Sequence, residues 1–390
     1  MDKLPNGWKL TKIGSVIHKG RTINPKLSPN KEFTYIDISS IDNNQYKIKE
    51  PKIITGKDAP SRARKEVQID DIVFATTRPN LKNIAIVTQN YEYPVASTGF
   101  CVLSPKKDLI ESKYLFRLLL TNNLQEQIQP FIRGAQYPAI SDSNIHSCLL
   151  PLPPIPEQKR IVSKIDALFE RIDKSIALLE ENITHTESLM ASALDEVFLE
   201  LESKYELQPL ENVIRVINGR AYKKQEMLNS GKYKLLRVGN FFTSQAWYYS
   251  DLELEPDKYC DNGDLLYAWS ASFGPKIWDG DKTIFHYHIW KMEPINNLIE
   301  KEFAYYLLQR DTIKIKEEGG RGVGMVHITK GGIEKRKIVV PPNKEQLKAV
   351  KMIKSLFDNL TKLQTEQQDK LTNLKALKES ILDKAFKGEI

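Results

Sequence analysis

The sequence predicts a mixed α/β (α+β) fold built twice in tandem, in which two small basic domains are each followed by a long amphipathic helix and the two helices pair as an antiparallel coiled coil. Three observations carry this expectation. The chain repeats itself at an offset of about 190 residues. Each copy mixes short strand-like and helix-like runs and then meets a proline-rich stop. Each stop is followed by a long, sparse apolar seam.

The repeat comes first, because a missed duplication misassigns the whole fold. Trp8-Lys9-Leu10 with Ile13, Val16 and Ile17 is echoed by Tyr205-Glu206-Leu207 with Leu210, Val213 and Ile214, and Gly20-Arg21 recurs as Gly219-Arg220. Tyr35-Ile36-Asp37-Ile38 matches Leu235-Leu236-Arg237-Val238, and Asp70-Asp71-Ile72-Val73-Phe74-Ala75 matches Gly263-Asp264-Leu265-Leu266-Tyr267-Ala268. From Arg133-Gly134 against Arg321-Gly322 onward the offset holds at 188, through Pro153-Pro154 and Pro341-Pro342 to Glu157-Gln158 and Glu345-Gln346. The ends agree as well, with Ala193-Leu194-Asp195 and Phe198 set against Ile381-Leu382-Asp383 and Phe386. The order never breaks, which chance does not produce.

Within a copy, the runs 33–38, 72–75, 84–87 and 99–103 are apolar or alternating and bounded by turn residues, so they predict strands. Residues 114–120 and 303–308 predict short helices. Pro151, Pro153, Pro154 and Pro156 exclude a helix interior or a central strand, so the segment is an extended connector that ends where a helix begins. The expected domains are 1–150, a helix over 151–203, a second domain over 204–340 and a second helix over 341–390.

After the first stop, Ile161, Ile165, Leu168, Ile172, Ile176, Leu179, Ile183, Met190, Ala193 and Val197 recur mostly at steps of three and four. After the second come Val350, Ile353, Phe357, Leu360, Leu371, Leu374, Ile381 and Ala385, with Gln364 and Gln367 interrupting midway. A helix of about 40 residues is about 60 Å long, more than one small domain can cover. The other copy supplies the economical partner, and two sequential repeats related by a two-fold place their helices antiparallel.

At 390 residues and 41% hydrophobic content, the chain buries two ordinary cores and is not a disordered polymer. Residues 157–200 carry a net −5 and residues 345–390 a net +2, so the overall +7 rests on +10 outside the two helices. That distribution favours a polyanionic partner for the domains. The opening residues lack a basic region followed by an apolar one, and no run approaches a membrane span, so a cytoplasmic protein with no membrane partner is expected. Cys101, Cys148 and Cys260 are far apart and form no CxxC pair, as reduced thiols would.

Motifs for chemistry are missing or weak. There is neither a cofactor glycine motif nor an Asn/Asp-Pro-Pro-aromatic tetrapeptide for methyl transfer, and Pro341-Pro342-Asn343 has the wrong order. The glycine-rich Gly319-Gly320-Arg321-Gly322-Val323-Gly324 lacks the Lys-Ser/Thr ending of a P-loop. Asp37 with Glu50-Pro51-Lys52 loosely fits a nuclease metal site but has no copy in the second half, and His286 with His288 lacks a third ligand. Trp247, Tyr248 and Tyr249 are read as strand core in preference to a stacking surface.

The run Leu152-Pro153-Pro154-Ile155-Pro156-Glu157-Gln158, the long helix after it, and the closing Ser380-Ile381-Leu382-Asp383-Lys384-Ala385-Phe386-Lys387-Gly388 resemble the specificity subunits of type I restriction-modification enzymes. So do Leu4-Pro5-Asn6-Gly7-Trp8, Gly134-Ala135-Gln136 with Ile140-Ser141, and Gly263-Asp264-Leu265-Leu266. The resemblance covers essentially the whole chain. It departs at Val340-Pro341-Pro342-Asn343-Lys344-Glu345-Gln346, and at Gly324 and His327, which replace the Gln136 and Ala139 positions.

The resemblance implies two target-recognition domains, each reading half of a bipartite double-stranded DNA site, with the paired helices as spacer and docking rails. The implied partners are two modification (adenine methyltransferase) subunits and a restriction (motor-nuclease) subunit. It implies no catalysis and no cofactor in this chain; S-adenosylmethionine, ATP and Mg belong to the partners. The competing expectation is a non-catalytic coiled-coil scaffold with nonspecific nucleic-acid binding.

Base readout needs Arg, Lys, Asn or Gln presented from loops among phosphate-binding charges. In the first half that selects Thr77, Arg78 and Asn80 after a strand, Arg133, Gln136 and Tyr137 in the Gly-bearing loop, and Arg21 and Lys26 as phosphate partners. In the second half it selects Ser270, Ser272 and Lys276, with Arg220, Tyr222, Lys223, Lys224 and Arg321 as the companion set.

Overall fold

The computed structural model describes residues 4–134, 136, 138–270, 274–319 and 328–390. The chain forms two compact units, one of Met1–Glu180 with Asp369–Ile390 and one of Glu181–Gln368. Both are built to one plan.

In the first unit, Phe100–Leu103, Ile72–Ala75 and Ile84–Ile86 form an antiparallel sheet in that order. All four residues of Ile72–Ala75 are buried, which is why this strand reads as an unbroken apolar run. A second sheet has the order Lys52–Thr55, Glu32–Ile36, Val95–Ser97 and Ala63–Glu66, with the middle pair parallel. In the second unit Leu265–Ala268 takes the place of Ile72–Ala75, between Ile289–Pro294 and Gly274–Ile277, and Ile214–Asn218 is added at the edge. The parallel pair recurs as Tyr233–Leu236 and Thr283–Phe285, flanked by Tyr248–Ser250 and Tyr259–Cys260.

The opening segment and the connector, unrelated in the sequence reading, are partners. Lys9–Lys12 pairs with Leu149–Leu152, and Leu207–Pro209 with Lys337–Val339, each as an isolated two-stranded ladder. Pro151 is tolerated there because a two-stranded ladder has only edges.

The Glu-Gln motif after each connector explains how a domain is fixed to its helix. Gln158, fully buried at 0% exposure, accepts from the Glu111 N–H at 2.8 Å and donates to the carbonyls of Leu109 at 3.0 Å and Pro153 at 2.8 Å. Gln346 repeats this with the Glu300 N–H at 2.7 Å and the carbonyls of Leu298 at 3.1 Å and Pro341 at 2.8 Å. One side chain satisfies three backbone groups that no regular element covers.

The long helices are Ile155–Glu202 and Asn343–Lys387. They run antiparallel, since partners on one rise in number as those on the other fall. In the first unit Asp173 pairs with Lys378 at 2.6 Å and Glu180 with Lys375 at 3.4 Å. In the second, Thr186 donates to Gln367 at 3.3 Å and Gln364 to Glu187 at 3.0 Å. The glutamines that interrupt the apolar seam are therefore matched across it, Gln367 by a buried Thr186.

Helix ends merge with domain cores. Ile161, Val162, Ile165 and Phe169 with Leu382, Ala385 and Phe386 enter the first core, where Phe386 meets Tyr114 edge-on at 5.0 Å. Leu194, Val197, Phe198 and Leu201 with Ala349, Val350 and Ile353 enter the second, where Phe198 meets Phe303 at 5.2 Å. The expected helices are Ser112–Leu119 and the longer Lys301–Gly319. In the first copy the Thr121 hydroxyl caps a new helix, Asn122–Ile128, by accepting from the Leu124 N–H. Where the second copy has Arg310, the helix runs on and the guanidinium pairs with Asp195 and Glu202.

One sequence reading changes, and one weak motif is accounted for. Tyr248 is exposed, and Trp247 and Tyr249 are only partly buried, because Tyr248–Ser250 is a sheet edge and not core. Asp37 is held by Lys52 at 2.6 Å and by the Ser39 hydroxyl at 2.5 Å, which lowers its pKa against the opposing effect of burial. The loose nuclease motif is an ion pair. Among the described residues, no helix is long and apolar enough to cross a membrane, and no group of three or more His, Cys, Asp or Glu could hold a metal ion.

Candidate nucleic-acid interface

In the first domain the two nominated loops are stitched together. Thr77 and Arg133 both form bridges to Ala139, the Ile140 N–H donates to the Thr76 carbonyl at 2.9 Å, and the Arg78 N–H donates to the Pro138 carbonyl at 2.6 Å. This joins the segment after Ile72–Ala75 to the segment around Gln136. Arg78, Asn80, Arg133 and Gln136 are all exposed. Arg78 and Lys82 adopt left-handed backbone, φ 50° each, on either side of the short helix Pro79–Leu81. Non-glycine residues hold that conformation at a cost of about 1 kcal/mol each, so the surrounding bonds enforce the loop's shape. The Arg133 guanidinium folds back on the carbonyls of Pro130 at 2.7 Å and Ile132 at 3.1 Å, and Arg78, Asn80 and Gln136 are exposed polar groups of the same loops.

Arg21 and Arg220 occupy equivalent places and are both engaged by an acid. Arg21 donates to Asp71 at 2.6 Å. Burial raises the Asp71 pKa, against the Ser104 hydroxyl, the Gln68 N–H and Arg21, which lower it. Arg220 grips both oxygens of Glu226, at 2.8 and 3.1 Å, and that grip with the Lys223 N–H pushes the Glu226 pKa down to about 2. The exposed lysines Lys26, Lys223 and Lys224 are accordingly better placed for phosphates than either arginine. Lys276 pairs with Asp279 at 3.1 Å and lies over the Trp278 ring. Tyr137, Ser272 and Arg321 lie outside the described residues.

In the second domain Arg220, Tyr222 and Ser270 converge on a turn that sequence reasoning set aside. Arg220 bridges His286, with its N–H donating to the Phe285 carbonyl at 3.1 Å and its carbonyl accepting from the Tyr287 N–H at 3.0 Å. Gly219 makes this approach feasible, since a Cβ there would lie 2.4 Å from the His286 carbonyl oxygen. Tyr222 stacks on His286 at 6.4 Å. Trp269, next to Ser270, donates through its backbone N–H to the His288 carbonyl at 3.0 Å and through Nε1 to the Tyr287 carbonyl at 2.8 Å. The turn has a counterpart in the first copy: strand registers place Ala75 opposite Phe100 and Ala268 opposite Ile289, so Ser97-Thr98-Gly99 and His286-Tyr287-His288 occupy the same turn. Arg237, over the exposed Tyr248 ring at 5.4 Å, is a second feature the sequence reading missed.

Both units thus present loops from the same point of the same scaffold, with different side chains. The family model described as type I restriction modification DNA specificity domain matches residues 5–183 and again residues 202–373. The type I restriction enzyme StySPI specificity subunit of Salmonella potsdam is 23% identical over 100% of this chain and 90% of its own length. The EcoKI specificity subunit of Escherichia coli K12 is 22% identical over the same shares. A solved chain from work on complex assembly and conformational transition of the type I R-M system matches with TM-score 0.87 and 31% identity, covering 100% of both chains. The HsdS subunit from Thermoanaerobacter tengcongensis matches with TM-score 0.60 and 31% identity, over 100% of this chain and 98% of its own. The duplicated fold, the two family matches and these relatives together place the chain in the type I restriction modification DNA specificity family, as a non-catalytic DNA-recognition subunit with two recognition domains.

Proposed function

We propose that the two recognition domains, residues 1–150 and 204–340, each read one half of a bipartite double-stranded DNA target, and that the helices within 151–203 and 341–390 set the gap between halves. The observation that carries this reading is that one scaffold is used twice with different loop chemistry. The first copy offers Thr77, Arg78, Asn80 and Gln136, with Lys26 at the backbone; the second offers Ser270 and Tyr222 with Lys223 and Lys224. Paired polar side chains of this kind distinguish base edges, whereas exposed lysines hold phosphates without regard to sequence.

In this reading the helices also dock two adenine-methylating modification subunits and the restriction subunit, which bring S-adenosylmethionine, ATP and Mg, and the complex works in the cytoplasm. The near-symmetric halves supply two equivalent docking sites. Spacer control has a direct test. One heptad inserted in register into both helices adds about 10 Å of coil, equivalent to about 3 base pairs. Binding selection on that variant is expected to return the same two half-sites with a longer gap. An unchanged gap refutes the ruler, and equal binding to random and selected duplex at moderate salt refutes sequence reading altogether.

A further inference from the structure

We infer that the turn His286-Tyr287-His288 is the principal base-reading element of the second recognition domain, with Tyr287 as its outermost contact. This inference rests on the DNA-reading function proposed above and assigns it to particular residues.

At this turn the first copy carries Ser97, Thr98 and Gly99, and in both copies the middle residue, Thr98 or Tyr287, is exposed. The backbone is used alike, because the Thr76 N–H donates to the Gly99 carbonyl at 2.8 Å and the Trp269 N–H to the His288 carbonyl at 3.0 Å. A turn that folds with small residues has no need of three rings. Their presence is a property of what the second domain meets.

The rings are supported from beneath. Tyr267 and Trp290, both buried, stack at 6.0 Å; Trp290 stacks on Trp269 at 5.7 Å; and Trp269 meets His288 edge-on at 5.0 Å and Tyr287 at 6.1 Å. The stack is a column from the core to the surface. It has no parallel in the first copy, where the Tyr267, Trp269 and Trp290 positions are Phe74, Thr76 and Cys101. At the surface end, His286 and His288 pack on Tyr287 at 4.5 and 4.0 Å, yet Tyr287 keeps 39% of its surface exposed. A ring held from below and open above loses little side-chain entropy on binding.

The turn lies against Arg220 and next to Ser270, and the same domain offers exposed Lys223 and Lys224 for the phosphate backbone. Burial, with His288 and Arg237 nearby, pushes the His286 pKa down to about 4, so its imidazole is neutral at pH 7. Its Nδ1 accepts from the His288 N–H at 3.5 Å, so the ring offers its Nε2–H as a donor to a base edge and no charge to a phosphate.

The test uses the full chain co-expressed with a modification subunit, with methylated adenines mapped by sequencing. Two variants are compared with wild type: Tyr287→Leu, and the triple change H286S/Y287T/H288G, which installs residues already used at this turn in the first copy. Both are expected to relax one half of the bipartite motif, with about ten-fold less discrimination at one or more positions, while the other half stays intact. Relaxation of neither half, or of both together, overturns the inference. A wild-type chain that directs no bipartite motif overturns the DNA-reading function and this assignment with it, which separates the two failures.

Discussion

Replacing Gln158 by Leu keeps most of the side-chain volume and removes every hydrogen bond it makes. The structure gives those as one accepted and two donated, all to backbone groups, from a side chain with no exposed surface. At about 1 kcal/mol net for each bond lost, the change costs about 3 kcal/mol, and more where the stranded groups stay dry. For a unit of this size that is a fall of about 6 to 12 °C in Tm. Gln346 makes the same three bonds at closely similar lengths, so Gln346→Leu is expected to cost the same. The neighbouring Glu157 is the control: its bonds to Arg160 are on the surface, and Glu157→Ala is expected to cost less than about 0.5 kcal/mol. Urea and thermal unfolding of the three variants measure this. Gln158→Leu unfolding with the wild type, or with Glu157→Ala, refutes the claim that this glutamine fastens the domain to its helix.

Arg78→Ala and Asn80→Ala are each expected to relax specificity in one half-site by about 1 to 3 kcal/mol, whereas Lys26→Ala weakens binding to all sequences and lowers the salt slope by about one, which titration at several salt concentrations resolves. Arg21→Met leaves the Asp71 carboxylate buried without its guanidinium. Because the folded Asp71 pKa lies above its unfolded value, the folded state holds the proton more tightly and stability falls as pH rises through that window. The variant is therefore expected to lose more stability at pH 8 than at pH 4.5 in paired urea titrations; an equal loss contradicts the burial of that charge. Thr186→Val combined with Gln367→Leu replaces a buried polar pair in the coil seam by apolar contact, and is expected to raise Tm while permitting alternative helix registers, read by disulfide cross-linking across the coil.

The architecture was legible in the sequence because duplication and proline stops survive divergence. The strand Ile72–Ala75, buried on both faces, reads as a continuous apolar run, and the sparse seam after each stop marks a helix that needs a partner. What stayed hidden depends on pairing between distant segments. Nothing local in Lys9–Lys12 shows that it pairs with Leu149–Leu152, and nothing in Gln158 shows that it faces the Glu111 N–H. Of the candidate site, the exposure of Arg78, Asn80 and Gln136 was legible, because polar residues after a buried strand or in a Gly-bearing loop face solvent. Arg21 was expected to hold a phosphate and Arg220 to join the second contact set, and only the structure shows their acidic partners. The turn at 286–288 was passed over because histidines two apart suggest a metal, and its counterpart at 97–99 has no chemistry to draw the eye. Both turns lie between a strand of one sheet and a strand of the other, a relation that requires the topology.

In the proposed function this chain supplies the address for a bipartite DNA modification. Co-expression of the full chain with a modification subunit, followed by sequencing of methylated adenines, tests it most directly. One motif of two short, unrelated half-sites separated by a fixed gap is expected, with methylation absent when the chain is withheld. Methylation of a single uninterrupted site, or with no sequence preference, contradicts it.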